Sequence, residues 1–363
     1  MRYSIPFLLL AALPATFVAC GDDESPTTTS CEGDVSRASV LSSTAMDIDR
    51  ELSRFVLASG QLSRTIDEFA ADPNAASLDI ARDALLSARL AYATAAPYAL
   101  VVDENEQTLH PLAAFPVDTM SVVAFLRDGS FDTGTTPDFD RGFAAMEYLL
   151  YSAPNETITA RFRSSPAHRT LLAAYAADVT ARAEEAETTW ATERDIFIAA
   201  SGSAAGSGFS RLVNSLSKHY EDTRRDRLGI PFGVTLGFPS PQALEAPYSN
   251  HSIYLLRQNV AASSDAYAGH TGDRTDSNID DYLEGLGQGE PTELAADITA
   301  RYTEAVAALE ALPEDLATAF ESDRDAVQTA YNAISRQVVN LKTDLPSVTC
   351  VAITYVDNPS DSD

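Results

Sequence analysis

Lysine is nearly missing from this chain. Lys218 and Lys342 are the only two, and 25 basic residues face 53 acidic ones for a formal charge of −28. That shortage excludes nucleic acid as a partner, because phosphate binding needs clustered cations. Histidine is scarce too, and none of the five is followed by Glu, so the zinc-peptidase pattern HExxH is absent. There is no GxSxG nucleophile elbow and no glycine-rich loop ending in Lys. GLGQG at 285–289 follows a helical pattern rather than a strand and reads as a turn. DSNIDD at 276–281 opens as a calcium loop would, yet lacks the Gly and the closing Glu such a loop requires. Beyond the first twenty residues no apolar run reads as long enough to cross a bilayer. What is present is 45% hydrophobic composition over 363 residues, enough to bury a large core.

The opening MRYSIPFLLLAALPATFVAC has one early cation, Arg2, and then an apolar run too short for a permanent span, which is the pattern of an export signal. Ala19 before Cys20 resembles the bacterial lipoprotein signal, in which that cysteine becomes the lipid-bearing first residue; Phe17 stands where such signals prefer Leu. An ordinary signal cleaved near Ala19 is the alternative. Residues 1–19 are thus expected to be a signal peptide and 20–33 a polar tether, with the protein held at a cell-envelope membrane through Cys20 and facing the periplasm or exterior. The other cysteines, Cys31 and Cys350, lie at the two ends of the folded region in a compartment that permits disulfides. They are either bonded to each other or two buried thiols.

Helical periodicity dominates the remainder. Val40, Leu41, Ile48, Leu52, Phe55 and Leu62 mark a long amphipathic helix with an interruption expected at Gly60, ending at Pro73. A second helix is expected near 77–95, and an irregular stretch over 99–137. Asp138 is placed to cap a helix opening DRGFAAMEYLLYS, and Ser165-Pro166 starts another that reaches past Trp190. SGSAAGSG at 201–208 reads as a turn, with the stripe Phe209, Val213, Leu216, Tyr220 beyond it. His219 and Asp222, on a charge-rich face of that helix, are expected in solvent. A proline-rich loop over 230–250 precedes helices near 251–267, 276–285, 292–311 and 314–343. VTCVAITYV is a short strand or extended tail. The fold class is all-α: two packed helix bundles, 34–200 and 201–363, with a short extended C-terminal segment.

One carboxylate stands out. On the 140–152 helix Glu147 sits among apolar neighbours on every face, and a buried carboxylate must be neutralised, paired or bound to a cation. Gly142-Phe143-Ala144-Ala145-Met146-Glu147 resembles the GxHxxE signature of the imelysin-like family of bacterial envelope proteins. ARLAY (Ala88–Tyr92), FPVD (Phe115–Asp118), RLGIPFG at 227–233, EAPYSNHS at 245–252 and ITYVDNPSDSD at 353–363 resemble family segments in the same order. The resemblance implies a two-bundle helical fold, a link to iron uptake or handling, and iron or another divalent metal as a candidate cofactor at Glu147. This chain departs from it: Ala144 replaces the motif His, and Ala96 stands where relatives often carry Glu.

Arg89 is the first candidate partner for Glu147, since a guanidinium can satisfy a buried carboxylate without metal. Tyr92 and Asp118 are expected to complete the network, with His110 in the loop between them and Gly142 opening the motif. Three readings follow. The first is a lipid-anchored binding protein of the envelope without a catalytic residue. The second is an imelysin-type metallopeptidase, and the third is a structural or adaptor lipoprotein serving envelope partner proteins.

Overall fold

A computed structural model describes residues 31–269, 277–287 and 289–355. The signal-like residues, Cys20 with most of the tether, Asp276 of the DSNIDD run and the tail from 356 onward lie outside them.

Among the described residues twelve α-helices of seven or more residues carry the fold: α1 (Arg37–Ala71), α2 (Ala75–Ala95), α3 (Thr119–Asp128), α4 (Gly142–Tyr151), α5 (Asn155–Ser164), α6 (Pro166–Ala199), α7 (Gly208–Asp222), α8 (Ser252–Ala268), α9 (Ile279–Gly285), α10 (Glu290–Glu310), α11 (Leu316–Ser322) and α12 (Arg324–Val339). Their starts follow capping chemistry. The Ser36 hydroxyl accepts from Ser39 N, Asn74 and Ser77 form a reciprocal capping box, and Ser165 accepts from His168 N ahead of Pro166. No strand occurs among the described residues; the expected C-terminal strand or extended tail instead opens in a helical turn, Leu345–Val348, and 351–355 has no regular secondary structure.

The helix α1 packs between α2 and α6 and continues through Gly60 unbroken. Nothing lies within 4 Å of where a Gly60 side chain would stand. The cost of a mid-helix glycine, about 1 kcal/mol, is outweighed by burial of Phe55, Leu62, Ile66 and Phe69 on either side. The expected 314–343 helix is instead two, split at Asp323 and followed by a π-helical turn over Asn340–Asp344. Ala75–Val102 is in fact long and apolar enough to cross a membrane by length and composition, contrary to the sequence reading, yet much of it is core: Leu78, Ala81, Leu85 and Ala88 are buried.

From Cys31 on the chain forms one compact unit. The turn after α6 separates the long N-terminal helices from α7, while α8 packs against both α2 and α10, so one continuous apolar core runs through both halves. Cys31 and Cys350 are bonded across 319 residues. Loop-closure entropy assigns such a link about 5 kcal/mol. Arg37 closes the same junction: its Nη2 donates to Thr349 O at 2.7 Å and to Cys31 O at 3.3 Å, and its Nε to the Tyr282 hydroxyl at 2.9 Å.

Candidate functional site

The motif helix α4 starts at a close approach that only glycine tolerates. Gly142 has φ +70°, and a Cβ there would stand 2.6 Å from Leu112 O. Arg141, not the expected Asp138, is the residue preceding α4; Asp138 begins a short 3-10 turn and pairs with Arg141 at 2.8 Å. At the other end Arg82 donates to Leu150 O and stacks over the Tyr151 ring at 4.4 Å, covering an orphan carbonyl of the helix terminus.

Glu147 is 1% exposed. Its Oε2 accepts from Arg89 Nη1 at 3.2 Å, and its Oε1 accepts from Tyr248 N at 3.0 Å and from Ser249 N and Oγ, each at 2.8 Å. A carboxylate has about four acceptor positions, and here each oxygen is engaged by fixed donors. The loop supplying the donors is itself held in place. Ala246 N donates to Ser252 Oγ, and Tyr248 meets Tyr148 edge-on with ring centroids 5.4 Å apart. Arg89 Nη2 continues the chain of charge to Glu245, donating to its carbonyl at 2.9 Å and lying 3.8 Å from Oε1. Arg227 Nε lies 2.9 Å from Glu245 Oε2. Glu147, Arg89, Glu245 and Arg227 therefore form a buried row of alternating charges that sums to zero, the condition under which buried ions are tolerated. Burial works against the charge on Arg227, but Glu245, Tyr92, Asp226 and Asp222 together outweigh it and hold the guanidinium above its ordinary value.

Two cavities flank this row. One, of about 390 Å³, is lined by Pro116, Val117, Ala144, Glu147, Gln242 and Tyr248. Its chemistry is sparse: Ala144 offers no ligand nitrogen, and Glu147 is already committed, with three donors converging on Oε1 and Arg89 on Oε2. Among the described residues no group of three or more His, Cys, Asp or Glu could hold a metal ion. The donors present do not fit a divalent cation at Glu147, which corrects the metal expectation made for that residue.

The second cavity, of about 140 Å³, collects residues the sequence scattered. Tyr92 and His110 line it together with Lys218, His219, Asp222 and Arg227. Tyr92 thus belongs here rather than beside Glu147; it packs edge-on against Phe55 and Phe143. Asp118 joins neither group. It caps α3, accepting from Met120 N at 2.8 Å and Ser121 N at 3.3 Å. Of the expected network, then, Arg89 and Glu147 meet, Tyr92 and His110 share the neighbouring cavity, and Asp118 and Gly142 shape backbone.

His219 corrects a second expectation. It is buried, with Nε2 3.2 Å from Asn259 O, and its pKa is pushed down to about 3 by burial, with Arg227 adding to the effect. Lys218 is held above its ordinary value: burial opposes its charge, and Asp222 and Glu106, at 2.7 and 3.2 Å, outweigh burial. The DSNIDD run has a structural role where it is described: Asn278 and Asp281 form the capping box of α9, and Asp280 accepts from the Tyr267 hydroxyl.

Residues 50–341 match the Imelysin family, Peptidase M75. The chain belongs to the imelysin family. It is 25% identical over 309 residues to iron-regulated protein A of Synechococcus elongatus, covering 77% of this chain and 80% of that one. Two crystal structures share its fold. A protein from Parabacteroides distasonis described as an iron-regulated protein A precursor superposes with a TM-score of 0.71 at 14% identity, over 86% of this chain and 94% of the other. An imelysin-like protein from Psychrobacter arcticum gives 0.66 at 16%, over 89% and 99%. Within this imelysin the motif glutamate is held by an arginine and a loop, and its row of charges extends to Arg227 and Glu245. Sequence reasoning missed those two and the loop donors of Tyr248 and Ser249. All four lie in or beside the RLGIPFG and EAPYSNHS segments that carry the family resemblance, and that resemblance was the available signal.

Proposed function

We propose that this imelysin is an exported, non-hydrolytic binding protein, held at the cell-envelope membrane through a lipid on Cys20 and serving iron-linked uptake or handling. The observation that carries the binding reading is the commitment of Glu147 to Arg89 and to the Tyr248–Ser249 loop. A carboxylate paired with a buried guanidinium and three loop donors is held as an ion, a poor proton acceptor, and among the described residues the neighbouring cavity brings no further ligand nitrogen or carboxylate set to share a metal with it. Beside it lies a cavity whose polar groups are only partly engaged, which is the arrangement a binding site needs. The link to iron rests on the name of the Synechococcus relative, and export rests on the leader-like N-terminus.

The test uses the full chain recovered from bacterial envelopes. Native mass spectrometry is expected to show a bound small molecule released on denaturation, and peptide substrates are expected to stay intact. Chelator-sensitive hydrolysis abolished by Glu147→Gln would overturn the reading in favour of a metallopeptidase. Acyl-chain labelling that persists in Cys20→Ser would remove the anchor from it.

A further inference from the structure

Three side chains that face the 140 Å³ cavity are more than nine-tenths buried and keep hydrogen-bonding capacity in reserve. The first is Arg227: its Nε lies 2.9 Å from Glu245 Oε2 without hydrogen-bonding geometry, and among the described residues its guanidinium makes no hydrogen bond. Phe115 lies under the guanidinium at 5.5 Å and fixes its plane. The second is Tyr92, whose hydroxyl likewise has no partner among the described residues and lies in the field of Arg227, Glu245, Glu106 and Asp222. The third is His219. A carbonyl oxygen only accepts, so the contact with Asn259 O places the ring proton on Nε2 and leaves Nδ1 a lone pair without a described partner. Groups left this way while buried cost stability unless something pairs with them.

The three are not equivalent, and their difference specifies a ligand. Arg227 only donates, the Tyr92 hydroxyl can donate beside it, and the planar fork of Arg227 suits a carboxylate. His219 Nδ1 accepts, and the carboxylates of Asp222, Asp226 and Glu106 line the same cavity. Those acids are partly balanced: Lys218 pairs with Glu106 and Asp222, and Arg225 with Asp222 and Asp226. A polyanion would meet the acids, and a simple cation would meet Arg227 and Lys218. A molecule carrying both charges a few ångströms apart meets neither penalty. The remaining wall is apolar, with Ala96, Ala99, Leu100 and Phe139. At roughly 10–15 Å³ per water, the space holds about ten non-hydrogen atoms. His110, exposed at the rim, marks the opening.

We propose that this cavity binds a free α-amino acid with a small apolar side chain: its carboxylate on Arg227 and Tyr92, its ammonium on His219 Nδ1 and the neighbouring carboxylates, and its side chain against the alanine wall. The inference rests on the binding reading above and gives it a ligand class.

The probe is L-valine, titrated calorimetrically into full-length protein freed of endogenous ligand, beside isovalerate and isobutylamine, which each keep one of its two charges. Wild type is expected to bind valine at least tenfold more tightly than either analogue. Tyr92→Phe, which removes one oxygen and preserves shape, and Arg227→Gln are expected to weaken valine at least tenfold, while Gln242→Ala, at the other cavity, leaves it unchanged. No valine binding, or isovalerate binding as tightly as valine, overturns the amino-acid assignment. If valine fails while native mass spectrometry still shows a co-purified molecule, the binding reading stands and only the ligand class falls. If no molecule is found either, both fall.

Discussion

The two cavities on either side of the buried charge row differ in one respect that matters more than their size. Around Glu147 each carboxylate oxygen is already engaged by fixed donors; around Tyr92, Arg227 and His219, capacity is left over. The larger cavity carries the family motif, but the smaller one carries the free chemistry. A buried charge with complete pairing behaves as a brace, and the cost of removing its partner is structural; a buried polar group with incomplete pairing stores a penalty that a ligand can relieve.

The comparison breaks most readily at Arg89. Arg89→Met leaves Glu147 and Glu245 buried without their shared cation, and urea unfolding is expected to show a loss of about 3–5 kcal/mol. Adding Glu147→Gln to it should recover part of that loss, and a double mutant no more stable than the single one would refute the brace. Gly142→Ala, which forces a side chain into φ +70° and against Leu112 O, is expected to cost about 3 kcal/mol in the same assay. The third test separates the cavities by pH. His219 titrates near 3 in the folded protein against 6.5 unfolded, so the stability its neutral ring contributes is complete above about 6.5 and drains as pH falls toward 3. By about pH 5 this amounts to about 2 kcal/mol, and His219→Gln should flatten that part of the stability profile. The smallest effect is expected at Tyr92→Phe. Its hydroxyl has no partner among the described residues, so the ligand-free protein should be as stable as wild type or up to about 1 kcal/mol more stable. A large destabilisation there would make both cavities braces.

Much of the fold was legible because helices announce themselves by periodicity and caps: Ser165 with Pro166 and the Phe209-to-Tyr220 stripe both sit where the pattern put them, while the second helix starts at Ala75, two residues ahead of its expected start. Gly60 misled because a propensity of about 1 kcal/mol is a weak signal against the packing of a 35-residue helix on two neighbours. At the site, the pairing of Arg89 with Glu147 was readable from the need to compensate a buried acid. The donors Tyr248 N and Ser249 N were not, since backbone amides carry no sequence signature. His219 misled for a related reason. Its helix neighbours Lys218 and Asp222 suggested solvent, but they bond to each other and to Glu106 across the cavity, and the ring beside them is covered by α8 through Asn259. Asp118 was drawn into the network by the resemblance of FPVD, whereas its own chemistry, a short carboxylate ahead of a helix, was that of a cap.

The bond between Cys31 and Cys350 turns the folded region into a covalent ring. A ring has no free end from which helices can fray, so unravelling has to begin in the interior, and an exopeptidase working inward meets a crosslink before it meets a helix. Tension between the chain ahead of Cys31 and the chain beyond Cys350 passes across that crosslink without loading the helices between, so the cavities keep their shape under such a pull.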